Sequence, residues 1–413
     1  MKSPRIELPA GQNWNCRGCT DCCRHSPFVI LSEADRDRLL QQGWTRADGV
    51  DPEHMIESGV NHYRLALKPD GACVFLNEQG LCRIHARFGE AAKPLPCRVY
   101  PLLLYPAGKQ ILVGLKFSCP TAGANDGEPM TALAHQIPKL ARLVLPEDHE
   151  DLPPSPVAAG AALEWPDFRR YVLALDRFFT AEKVSVALKL QRALHWLASI
   201  ERGCLDQATG EGAEEILEAL AENTVMRCAA LPEKREQPSG FGRLFLRQLV
   251  LEHARHTTVA DQALQSSHRW KMLLEALRLM CSSGHTPALR KGLKVVPFRA
   301  IETGFGELPA GAEALLTRYF RVKIQSQQFC GVGFHGCSLV EGFRNLTLMY
   351  PIVIWLARWL AVSAGRSQLT DADVARAITI ADFQYSFTPY LAWRTRLLQQ
   401  RHDIEKLCGW YAD

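Results

Sequence analysis

The feature that most constrains this chain is a concentration of cysteines near its start. Eight of its fourteen cysteines fall within the first 119 of 413 residues, opening with the run CRGCTDCC at residues 16–23. Thiolates are soft ligands that select zinc, Cu(I) and iron-sulfur clusters, and short spacings let one turn of backbone aim several sulfurs at one point. The candidate metal ligands are Cys16, Cys19, Cys22, Cys23, Cys73, Cys82, Cys97 and Cys119.

A disulfide framework is the competing explanation for so many cysteines. Such frameworks belong to short secreted chains that cannot build an adequate apolar core. This chain is long and begins MKSPRIELPAGQNW, without the apolar run of a signal sequence. We therefore expect reduced cysteines in a cytoplasmic protein. The other six cysteines are scattered, and most of them are expected to be small buried hydrophobes.

Composition limits the classes of partner. Hydrophobic residues make up 47% of the chain and charged residues 22%, as in a globular protein with more than one core. The net charge of +4 is too small to indicate a nucleic-acid partner. The longest apolar stretch, residues 346–364, is interrupted by Pro351 and Arg358, so we expect a buried helix and no membrane span.

Local patterns predict an α+β protein in two parts. Residues 1–130 are expected to form a small, irregular, cysteine-rich metal-binding domain with a few short strands, and residues 131–165 a proline-rich linker. Residues 166–413 show apolar stripes at helical spacing and are expected to form a mostly α-helical domain. The predicted strands are residues 62–67, 73–76 and 110–117, and the clearest predicted helix starts are Ser32, Val186 and Thr370.

The spacing of the first cysteines favours an iron-sulfur cluster and leaves zinc as an open alternative. Cys16, Cys19 and Cys22 have the C-x2-C-x2-C spacing with which bacterial ferredoxins bind three corners of a 4Fe-4S cluster. Cys119, which precedes a proline as in the ferredoxin pattern, is an available fourth ligand. Neighbouring side chains diverge from the backbone, so one member of the pair Cys22 and Cys23 is a candidate for a second centre. The spacing does not decide which sulfurs share a centre.

A glycine-rich segment in the second part is the candidate cofactor loop. Gly331, Gly333 and Gly336 satisfy G-x-G-x-x-G, and we name them as candidate cofactor-binding residues in a ligand-binding or metal-adjacent loop. A dinucleotide loop needs a strand directly before it and an acidic residue about twenty positions later. The polar run at residues 325–328 and the apolar stretch near Trp355 do not meet these requirements, which favours a structural turn.

The cysteine-containing segments resemble a known family. The run CRGCTDCC matches the C-x2-C-x2-C-C signature of the CxxCxxCC family of zinc- or iron-chelating proteins, and residues 71–84 and 96–101 are similar to that family's continuation. FGE at residues 88–90 and FSCP at residues 117–120 resemble its flagellin lysine N-methylase branch in particular. The methylase branch usually has a longer gap between its first cysteines, whereas this chain has the shorter spacing of the general family.

The resemblance implies a cysteine-bound 4Fe-4S or zinc centre. In the methylase branch it also implies transfer of a methyl group from S-adenosylmethionine to lysines of a flagellin-like protein substrate. A non-catalytic protein for redox chemistry, sensing or metal chelation is the alternative, although a simple carrier would not need so large a second part. A zinc-ribbon nucleic-acid binder ranks last, because the sequence contains one C-x2-C knuckle where a ribbon needs two. The sequence identifies no catalytic base.

Overall fold

The protein is α+β, as the sequence predicts. The computed structural model describes residues 5–25, 29–59, 62–232, 235–255, 270, 274, 277–279, 284–290, 292–385 and 392–412. Within these ranges the strands lie between Arg5 and Leu115, and helices dominate the rest of the chain.

Short strands form two three-stranded sheets in the N-terminal part. One sheet has the order β2-β4-β3 and is antiparallel, and the other has the order β1-β6-β5. In the second sheet β5 and β6 form an antiparallel hairpin, and β1 lies parallel to β6. The strands are β1 Arg5–Glu7, β2 Ile30–Leu31, β3 Ile56–Gly59, β4 His62–Leu65, β5 Leu102–Ala107 and β6 Gln110–Leu115.

Helices in the N-terminal part are short, and those that follow are longer. The short ones are α1 Asp21–His25, α2 Glu33–Gln41, α3 Arg83–Phe88, α4 Leu95–Val99, α5 Pro120–Ala124 and α6 Ile137–Val144. The later ones are α7 Trp165–Arg177, α8 Val186–Arg202, α9 Gly210–Arg227, α10 Gly240–Ala254, α11 Phe298–Glu302, α12 Ala310–Gln325, α13 Leu339–Thr347, α14 Met349–Ser363, α15 Asp371–Tyr385, α16 Ala392–Gln400 and α17 Asp403–Trp410.

The predicted helix starts are confirmed by their capping hydrogen bonds. The Ser32 hydroxyl accepts a hydrogen bond from the Asp35 amide at 3.1 Å, at the start of α2. At α15 the caps are reciprocal: the Asp373 amide donates to Thr370 Oγ1 at 3.3 Å, and the Thr370 amide donates to Asp373 Oδ2 at 2.9 Å. Each of these bonds satisfies an amide that the helix itself leaves without a partner.

One of the three predicted strands is wrong. Strands β4 and β6 form where the sequence predicts them, but residues 73–76 form a turn in which the Leu76 amide donates to the Cys73 carbonyl at 3.0 Å. The Cys73 amide donates to the Cys23 carbonyl of α1 at 2.7 Å. The backbone of Cys73 is therefore bonded to the first cysteine run, and it makes only an isolated bridge to Leu67.

Buried apolar side chains fall into two clusters. The larger cluster extends from Leu102 to Tyr411, so the inner faces of β5 and β6 share a core with the long helices. Residues 102–130, which the sequence assigns to the N-terminal domain, thus contribute to that larger core, and the domain boundaries stay predictions. The smaller cluster consists of Leu31, Leu39, Trp44, Val50, Met55, Leu65, Phe75 and Ile84.

The most apolar helical stretch is buried. Among the described residues, one stretch, Leu339–Ser363, is long and apolar enough by length and composition to cross a membrane. Its most apolar window is 89% buried inside the protein, as in a core helix. Arg358 within it is also buried, and its guanidinium lies over the rings of Phe305 and Tyr411.

Candidate metal centre

The first cysteine run combines a loop and a short helix. Cys16 and Cys19 are exposed in a loop with left-handed backbone at Gly18 and Thr20, where φ is 64° and 65°. The Thr20 carbonyl accepts a hydrogen bond from the Cys23 amide at 2.8 Å, which closes the first turn of α1. Glycine permits the loop to reverse direction at no steric cost. The run therefore presents sulfurs from both sides of a tight bend.

The next three cysteines lie around the small apolar core. Cys73, Cys82 and Cys97 are half-buried and pack against that core. Cys82 is the N-cap residue of α3, and Cys97 lies within α4. The hydrogen bond from the Cys73 amide to the Cys23 carbonyl joins this group to the first run.

Four sulfurs share one electrostatic neighbourhood. Burial, with a smaller contribution from the thiols of Cys82 and Cys22, raises the pKa of the Cys73 thiol to about 11. Burial also raises the pKa of Cys97 well above its ordinary value, with added repulsion from Cys73, Cys82 and Cys22. Thiolates repel one another strongly only at short range in a low-dielectric setting. A bound cation would relieve this repulsion, and soft thiolates are its natural ligands.

A second grouping involves Cys19 and Cys119. Burial raises the pKa of Cys19, and the charges of Cys119 and Cys22 add to the shift. Cys119 is buried at the N-cap of α5, and its Sγ lies 3.0 Å from Thr121 Oγ1. The Trp14 indole donates to the same Thr121 hydroxyl at 3.0 Å. These contacts tie Cys119 to the segment that leads into the first cysteine run.

Cys22 lies where the two groupings meet. Its Sγ is 3.9 Å from Cys23 Sγ, and the hydrogen bond between them raises the pKa of Cys22 well above its ordinary value. A disulfide would need the sulfurs about 2.05 Å apart. Each cysteine of the described residues is a free thiol.

Two lysines lie close enough to the sulfurs to compensate thiolate charge. The pKa of each of these thiols is raised overall, but nearby lysines oppose the rise. Lys93 does so at Cys22 and Cys97, and Lys68 does so at Cys73. Lys68 Nζ donates to the Leu76 carbonyl at 2.5 Å, which fixes its ammonium next to the turn at residues 73–76. Positive charge near thiolates favours their ionised, metal-binding form.

The cysteine sulfurs of the described residues do not form a compact set of three. Each sulfur of a zinc–thiolate site lies about 2.3 Å from the ion, so two ligating sulfurs are at most about 4.6 Å apart. In the part of the chain that the structure describes, three ligating atoms come within 4.8 Å of one another at Asp51, Glu53 and His54, and at no set of three cysteines. The carboxylates of that mostly exposed group pair with Arg46. The cysteine sulfurs are thus spread more widely than one zinc ion requires.

The glycine-rich turn is explained by its own backbone. The Gly331 amide donates to the Cys337 carbonyl at 2.8 Å, the Gly333 amide to the Cys330 carbonyl at 3.0 Å, and the Gly336 amide to the Gly331 carbonyl at 2.9 Å. A phosphate- or cofactor-binding loop needs such amides free to face its ligand. Their role in binding a cofactor stays a prediction that this geometry does not support.

A substitution tests this structural explanation. A Cβ on Gly333 would lie 2.4 Å from the Gln327 carbonyl oxygen. We expect Gly333→Ala to lower the free energy of unfolding by about 1–3 kcal/mol, measured by urea denaturation, because the clash must be relieved by a backbone shift. The control Gly212→Ala in α9 adds a methyl group with no atom within 4 Å and should not destabilise the protein. Unchanged stability of Gly333→Ala with lost affinity for S-adenosylmethionine would instead support the cofactor role.

Sequence reasoning missed two contacts between the helical part and the cysteine segments. Asp382 of α15 accepts hydrogen bonds from the backbone amides of Phe117 and Ser118, immediately before Cys119. Arg376 of the same helix pairs with Asp21 in the first cysteine run, with 3.3 Å between Nη1 and Oδ2.

The sequence contains a pattern that predicts the burial of Asp382. Asp382 follows Ile378 by four residues, on the apolar face that the sequence predicts for this helix. Lys323, whose Nζ lies 2.5 Å from Asp382 Oδ1, stands between the apolar residues Val322 and Ile324. Charged residues at core positions are rare unless they are paired, so these two are recognisable as candidates for one buried pair.

Fold and site together define a metal-binding domain with a cysteine cluster, joined to a helical body. Residues 15–120 match the model of the CxxCxxCC family, described as a "putative zinc- or iron-chelating domain", and the match contains all eight candidate cysteines. No curated protein and no solved structure matches the chain at a significant level. These comparisons do not extend to the flagellin methylase branch.

Proposed function

We propose that the protein binds an iron-sulfur cluster through Cys22, Cys73, Cys82 and Cys97. The observation that supports this most is the packing of Cys73, Cys82 and Cys97 against the small apolar core, where the thiols of Cys22 and Cys82 contribute to the raised pKa of Cys73 and Cys97. The chemistry of the donor set fits, since cysteine thiolates bind both 4Fe-4S and 2Fe-2S clusters.

An iron-sulfur cluster suits this donor set better than a single zinc ion. A cluster separates its ligand sulfurs by its own core of iron and sulfide, whereas zinc draws them together. No three cysteine sulfurs within the described ranges meet the closer spacing. Lys68 and Lys93 would offset the negative charge that four thiolates bring to a cluster. When bound, the cluster would supply one-electron chemistry or a structural anchor.

The remaining cysteines form a second donor set. Cys119 contributes to the raised pKa of Cys19, and Cys16 lies three residues before Cys19 in the same loop. Cys23, with its sulfur 3.9 Å from that of Cys22, is the fourth candidate. This assignment predicts a second cluster next to the first, so iron content distinguishes one centre from two.

Anaerobic purification followed by iron, zinc and acid-labile sulfide analysis tests the proposal. We expect about four irons and four sulfides per chain for one 4Fe-4S centre and about eight of each for two. Stoichiometric zinc without iron or sulfide would contradict the iron-sulfur assignment. Protein that binds neither metal after anaerobic reconstitution would contradict the proposal as a whole.

We further propose that the centre serves a cytoplasmic enzyme that modifies a protein, with methyl transfer from S-adenosylmethionine to lysines of a flagellin-like substrate as the reaction. The support is the resemblance of FGE and FSCP at residues 88–90 and 117–120 to the methylase branch, together with a large helical body that a metal carrier does not need. If lysine attacks the methyl group directly, its amine must be neutral, which requires a base or a desolvated pocket.

Binding of S-adenosylmethionine separates this reaction from the metal function. Calorimetry with the reconstituted protein should show binding, and labelled methyl groups should appear on lysines of a flagellin-like protein. A protein that takes up iron and sulfide but does not bind S-adenosylmethionine would contradict methyl transfer and leave the metal assignment standing. The non-catalytic alternative of electron transfer or sensing would then be preferred.

A further inference from the structure

We propose that Asp382 is a positioning residue that orients Cys119 as a ligand of the metal centre. The inference rests on the proposed function, because it assigns a role toward a centre that the cysteines form. It adds a residue of the helical body, far from the cysteines in sequence, to the parts that build the centre.

The Asp382 carboxylate accepts hydrogen bonds from two consecutive backbone amides. Its Oδ2 lies 2.6 Å from the Phe117 nitrogen and 3.1 Å from the Ser118 nitrogen. Its Oδ1 accepts from the Tyr319 hydroxyl at 3.1 Å and lies 2.5 Å from Lys323 Nζ. The side chains of both charged partners are at most 2% exposed, so these bonds do not compete with water.

The Asp382 carboxylate can position Cys119 because the two amides that it binds directly precede that residue. Phe117 and Ser118 immediately precede Cys119, so fixing their peptide planes fixes the direction in which the chain enters the ligand. The Cys119 sulfur is oriented separately by Thr121, at 3.0 Å. A buried ion pair is a poor source of stability compared with apolar packing. The ion pair of Asp382 and Lys323 is therefore explained better by the backbone direction that it fixes before Cys119 than by a contribution to core stability.

The same helix makes a second contact with the cysteine segments. Arg376, six residues before Asp382 in α15, pairs with Asp21, which is adjacent to Cys22. One rigid helix thus contacts the chain beside both Cys22 and Cys119. The contacts of α15 therefore reach both cysteine donor sets, one through Asp21 and the other through the Phe117 and Ser118 amides.

The test compares Asp382→Asn with Cys119→Ser in the full-length protein. Each variant is reconstituted anaerobically with ferrous iron and sulfide, and its electron paramagnetic resonance spectrum and reduction potential are measured. The single oxygen of an asparagine can occupy the position of Oδ2, facing the two amides, or that of Oδ1, facing Tyr319 and Lys323. Because the bond to the buried ammonium is charge-assisted and stronger, we expect the oxygen to face Lys323 and the NH2 group to face the Phe117 and Ser118 amides, from which it cannot accept. We expect Asp382→Asn to reproduce the altered spectrum and shifted potential of Cys119→Ser.

Asp403→Asn is the matched control. Asp403 is also fully buried, and its carboxylate accepts from the Ser239 amide at 2.8 Å and from the Ser239 hydroxyl at 2.6 Å. Its contacts lie within the helical body, so this variant should keep the wild-type spectrum and potential. A merely structural role of Asp382 would make both variants behave alike.

The outcomes distinguish this inference from the proposed function. Wild-type protein that takes up no iron contradicts the proposed function, whatever the variants do. Wild-type protein with a cluster and an Asp382→Asn variant with the same spectrum and potential overturns the positioning role. If circular dichroism shows that Asp382→Asn does not fold, Asp382→Asn combined with Lys323→Met removes both charges. That double variant must then reproduce the Cys119→Ser spectrum, or the inference fails.

Discussion

Replacement of Cys97 by serine is expected to abolish stable metal binding at the first centre. Cys97 packs against the small apolar core, and its thiol is close to those of Cys73, Cys82 and Cys22. A serine hydroxyl is a harder ligand that stays protonated, and loss of an outer-shell partner alone weakens metal binding about 10- to 100-fold. Iron retained after gel filtration should therefore fall by the content of one cluster, about four irons per chain, as measured by atomic emission.

The same substitution should loosen the segment that surrounds the centre. The small core consists of few side chains, and small domains of this kind depend on metal ligation for part of their stability. We expect limited proteolysis of Cys97→Ser to cleave within residues 29–99, while the helical body persists.

A scattered cysteine provides the control for this prediction. Cys204 is exposed and follows α8, outside the cysteine-rich segment. Cys204→Ser should retain wild-type iron content and wild-type proteolysis. Equal iron in Cys97→Ser and Cys204→Ser would show that Cys97 is not a ligand and that the electrostatic grouping of the four thiols does not mark a metal site.

The part of the fold that was predictable from the sequence is the part whose information is local. The short spacing of Cys16, Cys19 and Cys22 predicts converging sulfurs in the same local way, and that convergence stays a prediction. Helix starts such as Ser32 and Thr370 are set by hydrogen bonds to amides three residues away, which a sequence pattern can represent. The α+β division follows in the same way from periodicity within each segment.

What the sequence did not predict depends on partners that are distant along the chain. The run at residues 73–76 has the composition of a strand, but the Cys73 amide donates its hydrogen bond to the Cys23 carbonyl. No local pattern in the sequence indicates this partner. The glycines at 331, 333 and 336 satisfy a motif, but the motif does not specify where their amides point. Asp382 and the Phe117 amide are 265 residues apart, so their hydrogen bond exists only once the helical body has folded.

Replacing Lys323 by methionine should destabilise the helical body strongly. The substitution removes the cation that lies 2.5 Å from the fully buried Asp382 carboxylate and leaves the weaker influence of Lys116, and removal of one partner from a buried ion pair costs about 3–5 kcal/mol. Burial lowers the pKa of Lys323 while Asp382 opposes that shift, so the pair depends on the charge of Asp382 to keep the lysine ionised. Urea denaturation of the metal-free protein measures the loss.

Lys189→Met is the matched control, and a double variant completes the argument. Lys189 is also buried, but its ammonium donates to the neutral Thr317 hydroxyl at 3.1 Å, and the partly exposed Glu313 acts on it without a direct ion pair among the described residues. Its loss should therefore cost less than that of Lys323, about 1 kcal/mol. Combining Lys323→Met with Asp382→Asn removes both charges and should recover most of the lost stability. If the double variant is as unstable as Lys323→Met, the cost lies in packing around residue 323, and the ion pair is not what the helical body requires at this position.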